Sequence, residues 1–285
     1  MSGTSPELLA HFAALAGRYD VILSDVWGVV HNGVTAHPAA CDALKRFRDN
    51  GGRVVMITNA PRPNDSVARQ IAGFGVPRDT YDGIVSSGDV TRAEVIARAG
   101  QSLCHIGPER DRTIFSGLNV RFEPLETADY VVCSGLDEDD EDTPEDYRAR
   151  LETMLARRLF MVCGNPDVVV ERGDRLVYCA GAVADLYAQM GGEVLYAGKP
   201  YRPIYDQAFA LAARDVPRSR VLAIGDSVRT DVKGAHDFGV DCLFLTAGIH
   251  AEELGGHDKP NAAALTKIFA PAGKAPKAVM QRLVW

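Results

Sequence analysis

Short, almost wholly apolar runs recur along this chain, and several of them end on a small polar or acidic residue. Val21-Ile22-Leu23 leads into Ser24-Asp25, Val54-Val55-Met56-Ile57 into Thr58-Asn59, and Val221-Leu222-Ala223-Ile224 into Gly225-Asp226. Gly83 to Ser87 and Asp241 to Thr246 are further runs of the same kind. Amphipathic stretches separate them. Ala39 to Asn50 carries Cys41, Leu44 and Phe47 at helical spacing and stops at Gly51-Gly52, and Ser66 to Phe74 and Thr230 to Phe238 also read as helices. A strand that is apolar at nearly every position needs cover on both faces. Alternation with helices supplies that cover, so the expected fold class is α/β: a Rossmann-like parallel-sheet core.

The middle of the chain has a set of its own. Asp129 to Gly135 and Arg158 to Asp167 read as strands, and Glu193 to Ala197 as a short one. The acidic stretch Asp137 to Asp146 reads as a solvated connection entering a helix, because it lacks the glycine and ligand spacing of a calcium loop. The expected organisation is a discontinuous core domain, residues 1–88 and 196–285, with a smaller α/β domain, residues 89–195, inserted between its halves. A chain of 285 residues, 46% apolar, is long enough to fill both cores. At the N-terminus, Thr4 or Ser5 followed by Pro6 and Glu7 is a helix-start signature. The Pro/Ala/Lys-rich tail from Pro271 to Lys277 reads as loosely held.

Charge and cysteine usage narrow the partners. A net charge of -7 offers nothing to nucleic acid or an anionic membrane surface. No run approaches the roughly 18 apolar residues of a membrane span. The six cysteines form no CxxC and no zinc-spaced cluster, so they read as reduced, core-type thiols. A cytoplasmic protein is expected.

In open parallel sheets, ligands bind beyond the carboxyl ends of the strands. Asp25, Thr58 and Asp226 stand at such ends, Asp231 follows in GDSVRTD, and Lys199 follows the short Val194-Leu195-Tyr196 run. Two acids from different strands, a hydroxyl and an ammonium group on one sheet edge suit phosphoryl transfer. The carboxylates offer hard oxygen ligands to Mg²⁺, lysine and metal neutralise phosphoryl charge, and an aspartate can attack phosphorus. Each piece also has an ordinary reading: a turn-forming Asp25 or Thr58-Asn59, a surface Lys199. Only GDSVRTD is specific by itself, with a glycine for a tight turn and acids straddling a helix start.

Taken in order, Asp25 in SDVWG, Thr58 in ITNAPRP, Lys199 in AGKPYRPIYDQA, and Asp226 with Asp231 in IGDSVRTD resemble the four motifs of the haloacid dehalogenase-like hydrolase superfamily. The long insertion between the second and third motifs, with Cys163 to Asp167 and Gly181-Ala182, resembles its α/β-capped branch of nitrophenylphosphatase-like enzymes and nucleotide or sugar phosphatases. The resemblance implies an Mg²⁺-dependent phosphatase acting on a small phosphorylated metabolite. Asp25 would be nucleophile and metal ligand, Asp226 the second carboxylate ligand, and Asp231 a support for the metal from beyond its direct ligands. Thr58 and Lys199 would hold the phosphoryl group, with Asn59 shaping the loop. The cap would bring Asn165 and Asp167 to the substrate. A homodimer through the cap is implied by resemblance alone. Arg62 and Arg229 flank the motifs and could reach phosphate, but read more readily as surface arginines and are left out of the expected site.

One position departs from the pattern. Trp27 stands two residues after Asp25, where the family carries an aspartate as general acid and base. The backbone carbonyl that the family gives to the metal survives. The indole neither gives nor takes a proton near neutral pH. Three readings remain: a phosphatase that is slow, restricted to good leaving groups or served by another acid such as His31; a phosphate-binding or regulatory protein with impaired catalysis; or a dehalogenase. Dehalogenases need no Mg²⁺, so an intact GDSVRTD speaks against the third.

Overall fold

The computed structural model describes residues 6–172, 175–212, 215–256, 261–273 and 275–285. The chain divides into two compact units. Met1–Thr58, Val67–Val85 and Pro200–Trp285 form the first, and Asn59–Ser66 with Ser86–Lys199 the second.

In chain order the elements begin with β1 (Glu7–Leu8), α1 (Ala13–Ala16), β2 (Val21–Asp25), α2 (Pro38–Asp49), β3 (Arg53–Thr58), α3 (Asn64–Gly73), β4 (Gly83–Ser86) and α4 (Ser87–Ala97). Next come β5 (Ser102–Ile106), β6 (Arg121–Phe122), β7 (Tyr130–Cys133), α5 (Arg148–Ala156), β8 (Phe160–Cys163), β9 (Val169–Arg172), β10 (Arg175–Tyr178), α6 (Ala180–Gln189) and β11 (Val194–Tyr196). The chain closes with α7 (Arg202–Ala212), β12 (Val221–Gly225), α8 (Lys233–Phe238), β13 (Asp241–Leu245), α9 (Ala262–Ile268) and β14 (Ala278–Met280).

A sheet ordered β1-β14-β13-β12-β2-β3-β4 forms the middle of the first unit. Its β2·β3, β12·β2, β12·β13, β13·β14 and β1·β14 pairs are all parallel. All five residues of β2 and the last five of β3 are buried, as double cover requires. From β2 the chain winds outward through β3 and β4, then returns to β12 on the other side of β2. The β2/β12 boundary is therefore the switch point where doubly wound sheets open a crevice. The second unit has its own sheet, ordered β11-β8-β7-β5-β6 with parallel pairs, and an antiparallel hairpin of β9 and β10. Among the described residues, no helix is long and apolar enough to cross a membrane.

Several local expectations change. Thr4 and Ser5 lie outside the described residues, but Glu7–Leu8 is a strand and not a helix start. Its edge pairs with β14, and Leu9 N–H donates to Val279 C=O (2.9 Å). Sheet pairing overrides a local capping signal here. The tail runs directly into β14, with Lys277 N–H donating to Cys242 C=O (2.9 Å). The Thr230 helix begins instead with a π-type turn, Val228–Val232, before α8. Residues 59–66, expected in the core segment, pack with the second unit. There Gly88 N–H donates to Ala60 C=O (3.1 Å), Ser86 Oγ to Arg62 C=O (2.5 Å) and Asn64 N–H to Asp89 Oδ1 (3.0 Å). A side chain at Gly88 would overlap the Arg62 backbone.

Candidate active site

Asp25 closes β2 and Asp226 immediately follows β12, its parallel neighbour, so the two acids flank the switch point. Asp231 comes back to them on the π-type turn. Among the described residues, these three form a group whose carboxylate oxygens lie within 4.8 Å of one another, and all three are buried. Backbone N–H groups fix each one. Val26 donates to Asp25 Oδ1 (2.7 Å), Ile249 to Asp226 Oδ2 (3.0 Å), and Ser227 to Asp231 Oδ2 (3.1 Å). The Ser227 hydroxyl accepts from Thr230 N–H (3.3 Å) and so caps the turn that carries Asp231.

Glycines clear the space. A Cβ at Gly28 or Gly248 would overlap the Asp226 carboxylate, and one at Gly225 the Asp231 carboxylate. Gly28 also has φ +79, which suits glycine in particular. Three buried carboxylates this close repel one another strongly unless a cation or a proton intervenes. Hard oxygen donors converging in a pocket of this kind fit a divalent metal. Below Asp231, burial pushes the Tyr205 phenol far above its ordinary pKa, with the charges of Asp231 and Asp25 adding to the effect. Thr58 ends β3 one residue beyond Ile57, the register partner of Asp25, and is buried. It therefore stands on the same sheet edge.

The loop after Asp25 is built around Trp27. The indole meets the His31 ring edge-on (5.3 Å, 72°), and any side chain at Gly33 would overlap it. His31 is buried, packs on Phe74 (4.9 Å), and accepts Gly33 N–H at Nδ1 (2.9 Å). Burial, with a smaller push from His37, lowers its pKa to about 4. With Nδ1 accepting, the ring is neutral with its proton on Nε2, and the cation that would be the stronger acid is disfavoured. His31 props the loop through these contacts.

In the second unit, Asn59 clamps Lys199. Its Oδ1 accepts Lys199 N–H (2.7 Å), and its Nδ2 donates to Lys199 C=O (3.1 Å) and to Asp167 Oδ1 (2.9 Å). Asn165 Oδ1 accepts Asp167 N–H (3.1 Å) and so holds the turn that presents Asp167. A Cβ at Gly198 would overlap the Asn59 amide, and one at Gly181 the backbone carbonyls of Pro166 and Asp167. The Lys199 side chain is buried. Asn59 and Asp167, expected to bind substrate, are joined to each other, and Asn59 is occupied in positioning Lys199. Arg229 is exposed, and Arg62 lies beside Asp111 in the second unit.

Two contributors escaped the sequence reading: Ile249 N–H and the glycine pair Gly28 and Gly248. Their signal was present, since Gly248 follows a buried strand at the same sheet edge and Gly28 follows Trp27.

Residues 22–121 match the family model described as haloacid dehalogenase-like hydrolase, and residues 196–271 one described as HAD-hydrolase-like. Among solved structures, the chain is similar to a hydrolase of the haloacid dehalogenase-like family from Brucella suis 1330. That likeness is 44% identity over 98% of this chain and 100% of the other, with a TM-score of 0.83. It is also similar to a 4-nitrophenylphosphatase from Thermotoga maritima (23% identity; 89% and 98% covered; TM-score 0.66). A protein described as a possible sugar phosphatase from Cytophaga hutchinsonii shares 19% identity over 96% and 97%, with a TM-score of 0.76. These two likenesses speak to the fold. No curated protein matches the sequence.

Proposed function

The chain belongs to the haloacid dehalogenase-like hydrolases, and from that premise we propose that it is an Mg²⁺-dependent phosphatase. It removes the phosphoryl group of a small phosphorylated metabolite through an aspartyl-phosphate on Asp25. The observation that carries this reading is the convergence of Asp25, Asp226 and Asp231 at the switch point of the sheet. Asp25, Asp226 and the Trp27 carbonyl would hold Mg²⁺, with Asp231 supporting it. When bound, the ion supplies charge neutralisation at the phosphoryl oxygens.

An Asp25 carboxylate oxygen attacks phosphorus, a new O–P bond forms, and the bond to the leaving-group oxygen breaks with its electron pair staying on that oxygen. Water then attacks the phosphorus. The bond to Asp25 breaks, the carboxylate is restored, and the protons of the water pass to phosphate and solvent. Thr58 and Lys199 bind the phosphoryl oxygens, and Asn59 sets the Lys199 backbone. The inserted segment 89–195, with which residues 59–66 pack, is the cap domain and the rest of 1–88 and 196–285 the core domain, and Asn165 and Asp167 shape a specificity turn of the cap. The six cysteines are buried and outside any disulfide, which suits a reducing cytoplasm.

The test is phosphate release from a panel of phosphorylated metabolites and from 4-nitrophenyl phosphate, with and without Mg²⁺. Asp25→Asn should lower turnover by at least about 10³-fold. The second reading, a phosphate-binding protein with impaired catalysis, rests on the indole at position 27. Tight binding without release from any ester would favour it.

A further inference from the structure

The indole of Trp27 keeps 48% of its surface exposed, although the residues around it in the chain, Val26, Val29, Val30 and His31, are buried. A single exposed aromatic is ordinary on a protein surface. This one differs in how it is held. Gly33, at φ +88, leaves room for the ring, His31 meets it edge-on, and Phe74 backs His31. Gly28 N–H donates to His31 C=O (2.9 Å), His37 N–H to Val30 C=O (2.7 Å), and the Asn32 side chain accepts from Val34 and Thr35 N–H (3.0 and 2.9 Å). The loop from 26 to 37 is thus bonded internally, and the indole is ordered before anything binds. Preorganised aromatic surface binds with little further loss of conformational freedom.

Two further apolar side chains are exposed on loops of this unit. Val34 is 80% exposed in the same loop, and Ile249 is 39% exposed while its N–H holds the Asp226 carboxylate. Exposed apolar side chains therefore stand on the two loops that leave the sheet edge carrying Asp25 and Asp226. Chemistry points the same way. Trp27 offers no ionisable proton where an aspartate would relieve charge on a departing oxygen. Leaving groups that depart readily as oxyanions are then favoured. Aryl and enol oxyanions are both stabilised by delocalisation and flat.

Resting on the phosphatase reading, we infer that Trp27 is a specificity-determining wall that selects phosphate monoesters of planar, acidic alcohols, aryl or enol phosphates, by stacking on the leaving group. The bond changes are those of the reaction above. The leaving oxygen departs with its electron pair and takes a proton from solvent.

The test measures kcat/KM with Mg²⁺ for a series of aryl and alkyl phosphates, including phenyl and hexafluoroisopropyl phosphate, whose leaving groups are of similar acidity. The wild type should show a steep dependence on leaving-group acidity and should favour the aryl ester of a matched pair by about 3- to 10-fold. Trp27→Ala should remove the aryl preference and keep the slope. Trp27→Phe should retain most of the preference, and Trp27→Asp should flatten the slope. In parallel, phenyl phosphate is titrated into the Asp25→Asn protein, where Trp27 emission should change and the change should vanish in Trp27→Phe/Asp25→Asn. Equal rates for matched aryl and alkyl esters, or an aryl preference that survives Trp27→Ala, would overturn the wall while leaving the phosphatase reading intact. Release from no ester would sink the phosphatase reading itself. The titration still decides the wall in that case, because an unchanged Trp27 emission at saturating phenyl phosphate overturns it.

Discussion

At position 225 a single methyl group would take the space of the Asp231 carboxylate. Gly225→Ala should therefore push Asp231 off its place without disturbing the β12 ladder. We expect the Mg²⁺ concentration for half-maximal activity to rise by about 10- to 100-fold, as when a ligand-orienting group is lost. A metal titration of the initial rate checks this. His31 makes a second residue-scale prediction. Its pKa falls from 6.5 to about 4 on folding, because burial disfavours the cation and His37 adds to the effect. The unfolded chain then binds more protons than the folded one between these two values. Stability is full above about pH 6.5 and declines as pH drops toward 4, by on the order of 3 kcal/mol from His31. Replacing it by asparagine, which also offers an acceptor to Gly33 N–H, should flatten that decline in unfolding curves followed by tryptophan fluorescence. The residues carrying charge at strand ends were legible in the sequence because chemistry requires their types. The role of His31 was not. Whether a histidine donates protons or props a loop depends on what surrounds it, and Phe74 and Gly33 are brought there by the fold.

At the scale of elements, Asn59 and Lys199 stand at two of the points where the chain passes between the units. The Asn59 side chain holds both the N–H and the C=O of Lys199. Asn59→Ala would leave those backbone groups without their partner, at a cost of roughly 1–3 kcal/mol. The expected outcome is a KM for the phosphate ester raised by about tenfold or more, with a smaller change in kcat. Asn59→Asp should rescue poorly, since a carboxylate keeps the acceptor for Lys199 N–H but loses both donated bonds. Steady-state kinetics of the three proteins test this. Periodicity and apolar runs located β2, β3, β4, β7, β8, β11, β12 and β13 and the helices α2, α3 and α8 to within a few residues, because apolar strands and amphipathic helices write their periods into the sequence. They missed β5, β6, the hairpin of β9 and β10, and β14, and also β1, which pairs with the edge of β14 some 270 residues away in the chain. They also missed that residues 59–66 belong with the second unit, since that depends on Gly88 admitting the Arg62 backbone.

For the whole molecule, the two units give separable signals. The chain has two tryptophans, Trp27 and Trp285, and both lie in the first unit with the carboxylate cluster. Tryptophan emission during unfolding therefore reports the unit that would bind Mg²⁺, whereas far-ultraviolet circular dichroism reports both. A ligand that binds only the folded state stabilises it by RT ln(1 + [L]/Kd), about 2.7 kcal/mol at a hundredfold excess over Kd. Relief of the repulsion among three buried carboxylates makes this stabilisation specific to the first unit. We expect Mg²⁺ to raise the fluorescence-detected midpoint by several degrees and excess EDTA to restore the metal-free value. The part of the circular dichroism transition that does not coincide with fluorescence should stay in place. Asp226→Asn should lose most of the metal-dependent shift while unfolding near the metal-free wild-type midpoint or above it, because one of three mutually repelling charges is gone. A shift of equal size in Asp226→Asn would place the stabilising ion elsewhere. No shift in the wild type at millimolar Mg²⁺ would remove the metal from the proposed reaction.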